Sequence, residues 1–168
     1  MESMIVIPAR LHGTLPAPAD AYRSAALLCM CALGGAVWQQ GELTARPAFC
    51  AVMERLGLRR LRREDAVTWQ CPSRARLTPL HISIADIPEE APLLLLCLTR
   101  AQGASILEGL SQLEEKALMR LRSAADALRA LGARVMEQDG QLLVNGTRTL
   151  LGGVTLSVEP REGLLPLL

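Results

Sequence analysis

The sequence predicts an α/β (α+β) fold made of two βαβαββ units whose sheets pack on apolar helices. Three observations carry the prediction. Apolar segments of helical length alternate with short β-rich segments along the chain. The order strand–helix–strand–helix–strand–strand occurs twice, near residues 13–71 and 80–146. Both second helices close alike, in MERLGLRR and LRALGARV, an internal repeat of pattern rather than of close identity. The units are therefore placed at 1–78 and 79–168, the second with an added C-terminal strand.

In the first unit, MIVIPA is β-rich and ends at Pro8, and LHGTLPAP reads as a second short strand broken by Pro16 and Pro18. Residues 19–33 form a strongly apolar helix that stops at Gly34-Gly35. AVWQQ is a short strand. Residues 44–57 form a second helix, with Thr44 as N-cap, Pro47 in the first turn and Gly57 at the end. LRRLRRED and AVTWQC are two strands joined at Glu64-Asp65. In the second unit, LHISI is a strand with alternating faces, and IPEEAPLLLLCLTRAQG is a helix with acidic residues in its first turn, where they favour the dipole. Asp86 is a candidate cap for that helix. ASILEG is a strand, and LEEKALMRLRSAADALRALG is a long amphipathic helix with Leu118, Leu121, Ala125, Leu128 and Leu131 at helical spacing. ARVMEQDGQLLVNG is a hairpin turning at Asp139-Gly140, and GGVTLSVEP is a last strand.

Composition narrows the function. Half of the 168 residues are hydrophobic, so a real core can be buried, and with 2% aromatics it is built from aliphatic side chains. A formal net charge of +1 gives no general attraction to nucleic acid or to an anionic membrane. The densest basic run, LRRLRRED, closes on two acids and reads as a solvated strand or hairpin edge. Five cysteines form no CxxC pair, and Cys29 and Cys31 diverge on one helix, so reduced thiols acting as small hydrophobes are expected. No Walker loop, Ser-His-Asp set or metal-ligand cluster appears, so neither cofactor nor metal is expected. The start, MESMIVIPAR, lacks a basic n-region and a long apolar h-region, and no apolar run is long enough to span a bilayer, so a cytoplasmic location is expected.

Four stretches, IVIPARLHGTLPAPADAYRSAALLCMCAL, ELTARPAFCAVMERLG, IADIPEEAPLLLL through LRALGARVMEQDGQLLVNG, and SVEPR, resemble in that order the enolpyruvyl transferases, EPSP synthase in particular. IVIPARLHGTLPAPADAYRSAALLCMCAL is similar, without a gap at the motif, to the family's V-x-x-x-x-L-x-G-x-x-x-x-P-x-S-K-S-x-x-H-R-A-L-I. ELTARPAFCAVMERLG resembles the helix D-I-x-A-T-x-x-x-L-x-x-L-G. The stretch from IADIPEEAPLLLL to LRALGARVMEQDGQLLVNG resembles a segment holding D-I-P-D-x-x-P-x-L, then R-L-R-x-K-E-S-D-R-L, then L-x-x-L-G-A and a hairpin. SVEPR sits where the family has D-H-R. The resemblance covers nearly the whole chain, while the family's middle and its final unit have no counterpart in it.

Carried over position by position, the resemblance implies roles and losses. The phosphoenolpyruvate-facing Lys of S-K-S falls on Asp20, its serines on Ala19 and Ala21, and the Arg toward shikimate phosphate on Ala25. A carboxylate where a cation stood reverses the local field for an anion. The proton-transfer Asp of I-P-D falls on Glu89, and the Lys and Arg of K-E-S-D-R fall on Lys116 and Arg120. The Glu of that motif falls on Ala117, and the Arg of D-H-R falls on Arg161. The implied catalytic pair is thus Glu89 and Lys116, with Arg120 and Arg161 as substrate-binding cations and Asp20, Ala21 and Ala25 as degenerate positions. The residues alone also admit an ordinary solvated face for Lys116 and Arg120, a helix N-terminus for Glu89 and a tail position for Arg161.

Three functions follow: a working or split enolpyruvyl transferase of the shikimate pathway, a catalytically degenerate scaffold with a residual anion site, and a βαβαββ nucleic-acid module. The lost cations favour the scaffold, and neutral charge with few aromatics speaks against nucleic acid. The partners expected are a phosphoenolpyruvate-like anion and either a second copy or a complementary chain, because the apolar first helices of two units alone leave a face to cover.

Overall fold

The computed structural model describes residues 20–34, 36–40, 45–63, 66–71, 77–147 and 149–156. The expected strands before residue 20, the cap at Thr44, the turn at Glu64-Asp65 and the D-H-R-like stretch at 157–161 lie outside them. Within them the chain runs α1 (Ala21–Gly34), β1 (Ala36–Gln40), α2 (Pro47–Leu56), β2 (Arg59–Arg63) and β3 (Ala66–Gln70). It continues through β4 (His81–Ser83), α3 (Ala91–Leu98), β5 (Ala104–Glu108), a 3-10 turn, α4 (Glu115–Ala130), β6 (Arg134–Gln138) and β7 (Gln141–Asn145). The α/β class is as expected.

The strands form two sheets, one in the order β1-β3-β2 and the other β4-β5-β7-β6. Among the described strands only β4 and β5 pair in parallel. A parallel pair needs a crossover, and α3 supplies it. Asp139 and Gly140 both take positive φ, as a two-residue hairpin turn between β6 and β7 requires.

One hydrophobic cluster runs through both halves, from Leu28 and Phe49 to Leu94, Leu128 and Val144. Its centre is α3, where seven of eight residues are buried and Leu96 is half-buried. Such a helix must be covered all round. Its cover comes from within the chain, since α1, α4 and β7 all pack on it. The expectation that the apolar helices leave an open face is thus corrected for α3: the two apolar helices cover each other.

Four further corrections concern boundaries. Helix α3 is shorter than the apolar run suggests. Residues 88–90 are a turn before it, and beyond it Gln102 N–H donates to Leu77 O at 2.9 Å, drawing the chain off to bridge Leu77 and Ala101. The acidic pair Glu89-Glu90 therefore precedes the first helical turn, and the residue at the N-cap is Glu90, not Asp86. At α2 the N-cap is Arg46, without a side-chain cap bond, and Pro47 follows at once. From Gly152 to residue 156 the chain forms no strand.

Two glycines are required by geometry. Gly57 ends α2 at φ 118°, and its N–H donates to Glu54 O, an αL cap. Gly146 lies so close to the next segment that an added Cβ would stand 1.7 Å from Ala101 O. Gly146→Ala must therefore move backbone against backbone, and a loss of about 2–3 kcal/mol in a urea titration is expected.

The basic run forms β2, an edge strand on which Arg59, Arg60, Leu61 and Arg62 are all exposed. Arg60 stands 5.8 Å above the Trp69 ring. A row of cations on a free edge discourages strand addition.

Candidate functional site

The start of α1 holds the first part of the candidate site. A helix N-terminus exposes unpaired N–H groups that attract an anion. Here the anion is the chain's own: Asp20 Oδ1 accepts the Tyr22 N–H at 2.8 Å and the Arg23 N–H at 3.4 Å. Asp20 is thus the N-cap of α1. Asp20→Ala is expected to cost about 1 kcal/mol, read as a lower thermal midpoint. Ala21 is half-buried, and Ala25 is fully buried in the core at 0% exposure.

The second part lies between the starts of α2 and α3. Arg46, just ahead of Pro47, extends one guanidinium to two carboxylates. Its Nη2 donates to Glu89 Oε2 at 2.7 Å, and its Nε lies 3.2 Å from Glu90 Oε1. Glu89 is half exposed, whereas the Glu90 side chain is 1% exposed. Burial, opposed by Arg46, holds the Glu90 carboxyl above the usual range, and neighbouring Glu89 adds to the rise. Glu90 Oε2 is buried with no hydrogen-bond partner among the described residues, an expensive state for an ionised oxygen.

Helix α4 contributes the third part. Lys116 is exposed on its first turn, and Arg120 follows one turn later, half-buried, its Nε enclosed without a partner among the described residues. Arg120 and Glu90 both act on Tyr22: burial and the Cys29 thiol raise the phenol, Arg120 lowers it and Glu90 raises it again. Tyr22, Glu90 and Arg120 thus share one neighbourhood, and Arg46 links it to Glu89. No ion pair joins Lys116 to Glu89 among the described residues, and Arg161 lies outside them. His81 pairs with Glu108 across β4 and β5, away from this group. No cluster of three or more His, Cys, Asp or Glu suited to a metal occurs among the described residues.

Sequence reasoning singled out Glu89 and Arg120 but passed over Arg46, Glu90 and Tyr22. The signal for Glu90 was its place beside Glu89 before an apolar helix. Nothing local marks Arg46, whose partners are 43 and 44 residues away.

A protein-family model described as EPSP synthase (3-phosphoshikimate 1-carboxyvinyltransferase) matches residues 5–159. The chain belongs to the EPSP synthase family. It is 38% identical over 71 residues to the 3-phosphoshikimate 1-carboxyvinyltransferase of Sphingopyxis alaskensis, covering 41% of this chain and 16% of that protein. It is 33% identical over 95 residues to the enzyme of the same name from Enterococcus faecalis, covering 54% and 22% respectively. The chain therefore spans only about a fifth of the relatives it matches.

The fold agrees. The EPSP synthase of Acinetobacter baumannii superimposes with a TM-score of 0.54 at 19% identity, over 84% of this chain and 33% of that one. The enolpyruvyl transferase NikO of Streptomyces tendae gives 0.53 at 22%, over 76% and 30%. Asp20 caps α1 with its own carboxylate, and Ala25 is closed inside the core.

Proposed function

We propose that this chain is a catalytically degenerate EPSP synthase-like scaffold, built from two units of one pattern, that keeps a weak anion subsite. The observation that carries the reading is Asp20, whose carboxylate accepts the N–H groups at the start of α1 and so occupies the place of a bound phosphate. Two features add support. Glu89, the position of the proton-transfer carboxylate, is held by Arg46, and Ala117 removes a second carboxylate of the pattern. Lys116, exposed and outside any ion pair among the described residues, remains to meet an anion such as phosphoenolpyruvate, with Arg120 one turn away and Arg161 as the expected third cation. Glu89 and Lys116 are the residues on which any surviving catalysis rests. A cytoplasmic location is part of this reading; no helix among the described residues is long and apolar enough to cross a membrane.

The test is phosphate release from phosphoenolpyruvate and shikimate 3-phosphate, beside titration of phosphoenolpyruvate alone. No turnover is expected, with millimolar, salt-sensitive binding that weakens in Lys116→Ala. Turnover that disappears in Lys116→Ala would overturn the reading and establish the working enzyme. Self-association, or pairing with a complementary chain, has support from Met30, 49% exposed on otherwise apolar α1. Light scattering at micromolar concentration decides it: a monodisperse monomer removes the oligomer.

A further inference from the structure

Strand β2 is the densest basic segment of the chain: four of its five residues are arginine. The formal net charge of the whole chain is only +1, so positive charge is gathered here rather than spread. Arg59, Arg60 and Arg62 are exposed, and no ion pair reaches them among the described residues. On its outer side β2 meets no other described strand. An open edge of this kind offers unpaired backbone N–H and C=O groups. The edge at β6 is built differently. There Arg129 Nε donates to Val135 O at 2.7 Å, and Arg122 grips Glu137 through two hydrogen bonds. On β6 the guanidinium groups are turned onto the edge strand itself, whereas on β2 they are turned to solvent.

We propose that the outer edge of β2 binds an extended acidic segment of a partner protein, which adds to the sheet as a fourth strand. The register of β2 gives the pattern of that segment. Arg60 and Arg62 lie on one face, opposite Trp69 and Val67 of β3. Arg59 and Leu61 lie on the other, opposite Gln70 and Thr68. A strand paired outside β2 therefore brings carboxylates to Arg60 and Arg62 on one face. Between them it brings an aliphatic side chain to Leu61, which is 46% exposed, on the other. Acid–aliphatic–acid is the core of the pattern.

The same residues turn other occupants away. A second copy of β2 would set arginine against arginine, and like charges opposite one another destabilise a strand pair. A nucleic acid finds no stacking platform, because Trp69, the ring beside the arginines, is 1% exposed and lies beneath Arg60. A backbone edge lined with cations matches a polypeptide of opposite charge.

The full chain is titrated into a labelled peptide of alternating Glu and Val, followed by fluorescence anisotropy. Micromolar binding is expected, weakening as salt is raised. The same peptide with its backbone nitrogens methylated keeps every charge but donates no backbone hydrogen bond, and it should not bind. A peptide of alternating Lys and Val should not bind either. Arg60→Glu combined with Arg62→Glu weakens binding about tenfold. Arg62→Glu alone, which leaves Arg60 on its ring, weakens it severalfold, and Arg134→Glu on β6 changes it by less than about twofold. Equal binding of the methylated peptide, tighter binding of single-stranded DNA or polyphosphate than of the acidic peptide, or no binding of the acidic peptide each overturns the proposal. So does a dimer of the chain alone that Arg62→Glu dissociates, which would give the edge to a second copy.

Discussion

Arg46→Ala is expected to lower the unfolding free energy by about 2–3 kcal/mol near pH 8 and by about 1 kcal/mol near pH 5. Among the described residues the guanidinium is the sole ion-pair partner of a carboxylate that is 1% exposed, and stripping one partner from a buried pair strands the other. The larger penalties of fully buried pairs do not apply, because Arg46 itself is 40% exposed. The pH dependence follows from the direction of the Glu90 shift. Burial, against the pull of Arg46, keeps that carboxyl above its ordinary range in the folded protein. A group that holds its proton more tightly when folded favours folding below its ordinary value and loses that contribution as pH rises through the raised one. Removing Arg46 raises Glu90 further, so the mutant's deficit must grow as pH rises from the raised value of the intact protein to the still higher value of the mutant. Glu90→Gln removes the charge that needs compensation. In that background Arg46→Ala should cost about 1 kcal/mol at either pH. Urea titrations of the four proteins complete the cycle, and equal losses in both backgrounds would show that Arg46 acts through packing alone.

The second large effect is expected from restoring the family's cation in α1. Ala25→Arg is expected to cost about 3–5 kcal/mol, enough to shift the urea transition severely or abolish it. Ala25 is 0% exposed, inside the cluster that includes Leu28 and Cys29. A guanidinium there has neither solvent nor room. Asp20→Lys, at an exposed position, should cost only about 1–2 kcal/mol through loss of the cap and repulsion from the helix dipole. The contrast separates two kinds of loss. Position 20 is accessible to solvent, whereas position 25 lies inside the core. A near-normal midpoint for Ala25→Arg would mean that this face of α1 still opens toward solvent.

The parts of the fold legible in the sequence are those fixed by local chemistry. The period of Leu121, Ala125 and Leu128 gives α4, Asp139-Gly140 gives the hairpin, and Gly57 gives the end of α2. The parts that were not legible depend on distant partners. Helix α3 reads as longer because LLLLCLTRAQG has no breaker before Gly103. It stops after Leu98 because residues 101 and 102 pair with Leu77, which no local rule reveals. Thr44 has the chemistry of a cap, yet the N-cap is Arg46, whose side chain is drawn to Glu89 and Glu90. The candidate site divides in the same way. Motif positions single out Asp20, Glu89 and Arg120 as expectations, while the buried state of Glu90 and its link to Arg46 arise only when α2 and α3 meet.

The mutual cover of α1 and α3 has a consequence for how the molecule comes apart. Each helix is the other's shield from water, so neither half can expose its own apolar helix without exposing its neighbour's. Excision at the join near residue 78 would leave two fragments with raw hydrophobic faces, each prone to clump. Amide exchange in α1 and α3 should share one opening free energy, and melting should show a single transition.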